Sequence, residues 1–246
     1  MMVVATVAFC IGALLIGGAG IFLLLNLGEH RALRTLRRVV PGPARPGRVA
    51  LEGRTEYGPS GRQAAPVTGE DCVWFHVRLI REPSRQYSGS DAPDHDVLFD
   101  YSSPGGFALA DPGGRIPVDP AILDHPYPME AGVAVKTTIV HKRKAPRPLP
   151  PVVSREIIDD LRKSERLTLT ESRVLRGVPV FALGRLSGGV LKQSRAGLTV
   201  FTTDTREQVI ATRKDGISVS NRVMVVFVLA GLALAGGGAG YLNTLG

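Results

Sequence analysis

The groups that could carry chemistry in this 246-residue chain are few: two cysteines, Cys10 and Cys72, and five histidines. Cys72 and His76 stand four apart in Cys72-Val73-Trp74-Phe75-His76-Val77-Arg78-Leu79-Ile80, which alternates as a strand does. A thiolate–imidazole pair needs hydrogen-bond reach, and four strand residues separate these two by ~13 Å. Cys72 therefore reads as a buried structural thiol; a membrane-bound hydrolase using it would need a histidine that nothing in the sequence marks. Asp94-His95-Asp96 and Asp124-His125-Pro126 hold metal-ligating types, but in polar loops they read as solvated clusters. No glycine loop for phosphates, no nucleophile elbow and no HExxH stands anywhere in the chain. The expectation is no catalytic residue, no metal and no cofactor.

Binding is then the remaining class. Alternation assigns Val73, Phe75, Val77 and Leu79 to a core face and Cys72, Trp74, His76 and Arg78 to a mixed one. A tryptophan beside a histidine and an arginine can anchor a partner, so Trp74, His76 and Arg78 are the candidate partner-binding residues. The formal charge of +8 suits acidic proteins, anionic lipid or nucleic acid. The basic run His141-Lys142-Arg143-Lys144 has no aromatic interleaved, so it offers no stacking platform for a nucleic acid and reads as lipid-facing or solvated.

Two apolar stretches must position these groups. Val3 to Leu27 is uncharged and reaches ~37 Å as a helix, enough to cross a ~30 Å hydrocarbon core. A cleaved signal peptide would have a basic n-region and a shorter apolar core. Val223 to Leu242 reaches ~30 Å. Basic residues crowd only the inner flanks: Arg31, Arg34, Arg37 and Arg38 after the first run, Arg213, Lys214 and Arg222 before the second. Both flanks predict a cytoplasmic middle domain with the two termini outside. The expected organisation is a transmembrane helix at 1–28, a basic juxtamembrane segment and linker at 29–46, a β-rich domain at 47–215, and a second transmembrane helix at 222–245. Leu33, Leu36 and Val40 opposite Arg31, Arg34 and Arg38 suggest an interfacial helix over 29–40 lying on anionic head groups. Lys142, Arg143 and Lys144 are assigned to lipid as well. Ala13, Gly17 and Gly20, and the Gly236/Gly240 pair, are small-residue spacings through which the spans could pair with each other or with another copy.

The middle of the chain reads as mainly β, a small barrel or sandwich with one short helix. Strands are expected at Val49–Leu51, Cys72–Ile80, Val97–Phe99, Phe107–Leu109, Arg115–Val118, Val133–Val140, Leu167–Leu169, Val178–Leu183, Gly197–Thr202 and Gln208–Thr212. A polar loop is expected over 82–95, and a helix capped by Ser154 through Arg166. Val49-x-x-x-Gly53-Arg54 is echoed by Val180-x-x-x-Gly184-Arg185, which suggests two strand–turn units of one barrel or sandwich.

Three segments carry a resemblance: Cys72-Val73-Trp74-Phe75; Phe107-Ala108-Leu109-Ala110-Asp111-Pro112-Gly113-Gly114-Arg115-Ile116-Pro117-Val118-Asp119-Pro120; and Glu171-Ser172-Arg173-Val174-Leu175-Arg176-Gly177-Val178-Pro179-Val180-Phe181-Ala182-Leu183-Gly184-Arg185-Leu186. In this order, between two spans, the chain over roughly 40–215 resembles the GIDE, or beside-a-membrane (BAM), domain family of MULAN-type mitochondrial E3 ubiquitin ligases. In those ligases a RING domain follows the second span. This sequence ends at Gly246 without one, and two cysteines cannot supply paired four-ligand zinc sites. The resemblance implies a multi-pass membrane protein whose GIDE-like domain acts as a scaffold or adaptor for an unknown protein partner. The alternative it leaves open is a ubiquitin-transferase-like protein that borrows a RING from another chain.

Overall fold

The computed structural model describes residues 2–85, 94–124, 132–143, 149–194 and 198–243. In chain order the elements are α1 (Met2–Arg38), β1 (Gly47–Glu56), β2 (Gln63–Ala64), β3 (Asp71–Cys72), β4 (Trp74–Glu82), β5 (Asp96–Ser102), β6 (Phe107–Asp111), β7 (Gly114–Val118), a 3-10 turn (Pro120–Asp124), β8 (Ala134–Lys142), α2 (Arg155–Asp159), β9 (Arg166–Val174), β10 (Pro179–Ser187), β11 (Val190–Lys192), β12 (Val200–Thr202) and α3 (Arg206–Asn243). They form two units, Met1–Val40 with Thr205–Gly246, and Pro41–Asp204.

The first unit is an antiparallel pair of helices. Both α1 and α3 are long and apolar enough to cross a membrane, and only 11% of each apolar window is buried, unlike the core helix of a soluble protein. They meet along a seam with a seven-residue period: Ala5, Gly12, Ala19, Asn26 and Leu33 are buried on α1, and Gly231 and Gly238 on α3. The backbones approach closely. A Cβ on Gly12 would lie 2.5 Å from the Ala235 nitrogen, and one on Gly238 would lie 2.8 Å from the Ala5 carbonyl. Phe22 and Phe227 stack edge to face at 5.9 Å. Further along, the Asn26 amide donates to Asn221 at 3.0 Å and the buried Arg213 donates to Glu29 at 2.6 Å. Arg206 donates to the Leu36 carbonyl at 2.8 Å, satisfying an end of α1 that has no further turn to bond to.

Three expectations change here. A Cβ added at Gly17, Gly20, Gly236 or Gly240 would meet nothing within 4 Å, so α1 and α3 do not meet each other through these glycines; the period of their seam is seven. Residues 29–38 are no separate interfacial helix but the continuation of α1, with Leu33 and Leu36 buried at 7% and 0% exposure. The strand expected over Gln208–Thr212 is the first turns of α3. Thr205 and Gln208 cap it reciprocally: the Thr205 amide donates to the Gln208 side chain at 2.7 Å, and the Gln208 amide to the Thr205 hydroxyl at 3.3 Å. The β unit therefore ends at Asp204, short of 215.

The second unit is built on a closed five-stranded barrel. Its order is β1-β6-β7-β11-β10, and β10 pairs back onto β1. All pairs are antiparallel except β7 with β11. This Greek-key order, with a helical turn after the third barrel strand, is the connectivity of an OB-fold barrel. The repeated Val-x-x-x-Gly-Arg motif is its closing seam. Val49 lies opposite Gly184 and Gly53 opposite Val180, so each glycine faces the other copy's valine. Gly188 and Gly189, both at positive φ, make the two-residue hairpin from β10 to β11. Phe107, Leu109, Val118, Ile122, Ala182 and Leu191 are among the side chains filling the interior.

A four-stranded antiparallel sheet, β5-β4-β9-β8, is made from two insertions in the barrel's connections. The β4–β5 hairpin lies between β1 and β6, and β8–α2–β9 between β7 and β10. Val77, Leu79, Leu167 and Leu169 face inward onto Val153, Ile158 and Leu161 around α2. That helix is much shorter than expected, and Ser154 at its N-cap position makes no side-chain cap hydrogen bond. The β2–β3 ladder braces the loop before β4. The expected loop positions 86–93 and the strand start at Gly197 lie outside the described residues.

Candidate functional site

The outer face of the four-stranded sheet follows from register. In an antiparallel ladder, directly opposed residues share a face. Across the sheet this gives the rows Ser102–His76–Ser172–Lys136, Asp100–Arg78–Thr170–Thr138 and Val97–Ile80–Thr168–Val140. The His76 ring nitrogen is bonded to the Asp100 carboxylate, and the Arg78 guanidinium lies 3.5 Å from the same carboxylate. A second Arg78 nitrogen is 3.3 Å from His95. The His76, Arg78 and Asp100 side chains are 35%, 43% and 44% exposed, so the cluster is an open polar patch. Beside it Val97 and Val140 are 47% and 53% exposed.

Trp74 does not join this patch. It is 7% exposed and belongs to the barrel core with Val73 and Val174. Alternation gave it the face of His76 correctly, and the two rings stack at 6.1 Å. What alternation cannot give is the cover: the barrel's apolar interior closes over this end of β4, so Trp74 is no exposed anchor. Asp100, Thr170 and Ser172 were missed by the sequence reading. Their signal is pairing register, which single strands do not display.

Among the described residues no serine or cysteine is hydrogen-bonded to a histidine at this face. Neither Ser102 nor Ser172 is hydrogen-bonded to His76, although both flank it. Cys72 is fully buried, and burial with the Glu171 and Asp71 carboxylates nearby pushes its thiol up to about 11. Asp94, His95 and Asp96 are divided. His95 meets Arg78, while the Asp96 carboxylate accepts from Ser84, the Arg85 amide and Arg81, which together hold it well below the ordinary carboxylate range. Arg85 also grips Glu165 through two bonds of 2.7 Å and holds that buried carboxyl down to about 2. Among the described residues no group of three or more His, Cys, Asp or Glu could hold a metal. His125 and Pro126 lie outside them.

A buried carboxylate locks the loop before β4. Glu171, 0% exposed, accepts from the Val67 amide at 2.6 Å and the Thr68 hydroxyl at 2.7 Å. Arg173 beside it bonds Glu70 and Thr137. Glu171 lies in the row Val77–Glu171–Thr137, on the opposite side of the sheet from His76, and ties the loop before β4 to β9.

Of the basic residues expected to meet lipid, Arg31, Arg34, Arg37 and Arg38 on α1 and Lys142 and Arg143 at the end of β8 are exposed. Lys144 lies outside the described residues. Lys142 stands opposite Arg166, whose charge is taken up by Glu82 at 2.8 Å. No family model matches the chain, no curated protein matches it, and no solved structure matches it.

Proposed function

We propose that this is a two-span membrane protein whose β domain faces the cytoplasm and works as a membrane-proximal binding scaffold, with the outer sheet face around His76, Arg78 and Asp100 as its partner-binding surface. The observation that carries the reading is that face: an open cluster of paired charges beside exposed valines. Exposed apolar side chains bordered by polar groups suit a protein partner. The membrane placement rests on the two apolar helices and on the arginines gathered at their inner flanks. The resemblance of three segments, in order, to GIDE domains supports the same role, since those domains sit beside a membrane. They correspond here to the start of β4, the β6–β7 hairpin and the β9–β10 pair.

The test is site-specific photo-crosslinking in intact cells from Thr138 and Thr170, with Lys192 on the barrel as the reference position. Capture of one partner from both sheet positions, lost in Arg78→Ala, is the expected result. Equal capture from Lys192, or none from the sheet, overturns the surface. A tag inserted at the Pro112–Gly113 turn and labelled from outside the cell by an impermeant reagent overturns the placement. Ubiquitin transfer by the purified chain alone would replace the scaffold reading with a transferase.

A further inference from the structure

The positive charges on the charged part of α3 are not used alike. Arg213 is bonded to Glu29 and Arg206 to the α1 carbonyls. Lys214 and Arg222, both exposed, have no ion pair or hydrogen bond among the described residues. With Ser218 between them they recur every fourth residue, so they form one stripe ~12 Å long on a single helix face. The stripe lines a shallow, open groove along α3 that continues past Asn221 onto Val225 and Val226. These valines are 52% and 60% exposed. The Asn221 oxygen is engaged by Asn26, which leaves its amide N–H groups for the groove. Arg222 is the last charged residue before the apolar stretch. The groove thus changes along its length from cationic and hydrogen-bonding to purely aliphatic.

We propose that this groove is a binding site for an anionic phospholipid. The phosphate lies against Arg222 and Ser218, the rest of the headgroup reaches toward Lys214, and an acyl chain covers Val225 and Val226. Charge and polarity select this occupant. A free phosphate would leave the valines bare, and an acidic peptide would not match an aliphatic end facing hydrocarbon. The inference rests on the two-span reading above, and it goes further by naming a lipid class and a defined site.

The test uses the full chain in nanodiscs of phosphatidylcholine with one-tenth phosphatidylglycerol, and native mass spectrometry to count retained phosphatidylglycerol. Lys214→Gln/Arg222→Gln should lower retention about 30-fold, the factor for two surface cations at ~1 kcal/mol each. Arg31→Gln/Arg34→Gln removes the same charge from α1 at residues that meet lipid only diffusely, and a defined site predicts a clearly smaller loss there than in Lys214→Gln/Arg222→Gln. Equal losses in the two variants mean diffuse attraction and overturn the site; so does no loss in the first. Displacement of the lipid by millimolar glycerol phosphate would identify a free-anion site and overturn the lipid assignment. Carbonate extraction separates the two readings. A chain that stays in the membrane yet shows no Lys214/Arg222 effect refutes the lipid site alone, whereas a chain that is extracted refutes both.

Discussion

Replacing Gly12 by alanine tests the helix seam at its tightest point. The new Cβ would lie 2.5 Å from the Ala235 nitrogen, 2.6 Å from the Gly231 carbonyl and 2.9 Å from the Ala235 Cβ. Two of these neighbours are backbone, so no side chain can swing aside. The helices must part by about 0.9 Å to restore ordinary contact, and overpacking of this kind costs about 1–3 kcal/mol. Alanine also favours a helix over glycine by up to ~1 kcal/mol, which would mask part of the loss. Gly17→Ala supplies the correction: it gains the same propensity and meets nothing within 4 Å. The difference between the variants isolates the seam and should be about 1–3 kcal/mol, Gly12→Ala being the weaker protein. Unfolding of the full chain in mixed micelles, titrated with dodecyl sulfate and followed by circular dichroism, measures it. Equal stabilities, or a weaker Gly17→Ala, would refute the seven-residue seam and restore the four-residue spacing of small residues.

Glu171→Ala should destabilise the β domain by about 3–5 kcal/mol in a denaturant titration, because it leaves Arg173 without its buried carboxylate neighbour and two donors without their acceptor. Glu171→Gln keeps an acceptor and should cost about 1–2 kcal/mol; indistinguishable variants would show that the brace carries no strength. The Arg85 network predicts a pH window. Glu165 drops from 4.5 to about 2 on folding, so the stability it gives is complete above pH 4.5 and is lost as the pH falls toward 2, and Asp96 acts in the same direction. The gap in melting temperature between the native chain and Arg85→Ala should therefore shrink steadily from pH 5 to pH 2.5, and a constant gap would rule the network out as its source.

The features that could be read from the sequence were those written locally. Uncharged length gave the two apolar helices, and period-two alternation gave β4 with Val77 and Leu79 inward. The Val-x-x-x-Gly-Arg echo pointed to two strand–turn units of one barrel or sandwich, but not to the fact that the copies pair with each other. Two local signals were present and overlooked: the Thr205…Gln208 capping box, and Gly188-Gly189 between two apolar runs. The helix seam was misplaced because small residues abound in both helices, and only the seven-residue spacing from Ala5 to Leu33 singles out those in contact. The site was half legible. His76 and Arg78 share a strand, so their common face follows from alternation. Asp100 comes from another strand and Thr170 from one far downstream, and their arrival depends on register. Trp74 was misjudged because what covers a strand end is a tertiary fact.

The origin of the four-stranded sheet in two barrel insertions has a consequence during synthesis. Glu82 on β4 pairs with Arg166 on β9, and the residues between them take ~4–17 s to make at 5–20 residues per second. Through that interval the β4–β5 hairpin has neither β9 beside it nor α2 beneath it, and a lone hairpin is marginal in water. The nascent chain thus carries an open strand edge with Phe75, Val77 and Leu79 uncovered for seconds, by which time its first helix is already available to the insertion machinery. Ribosome-associated chaperones would meet this protein at that hairpin, and slowing translation between residues 83 and 165 should raise its aggregation more than slowing it anywhere after residue 174.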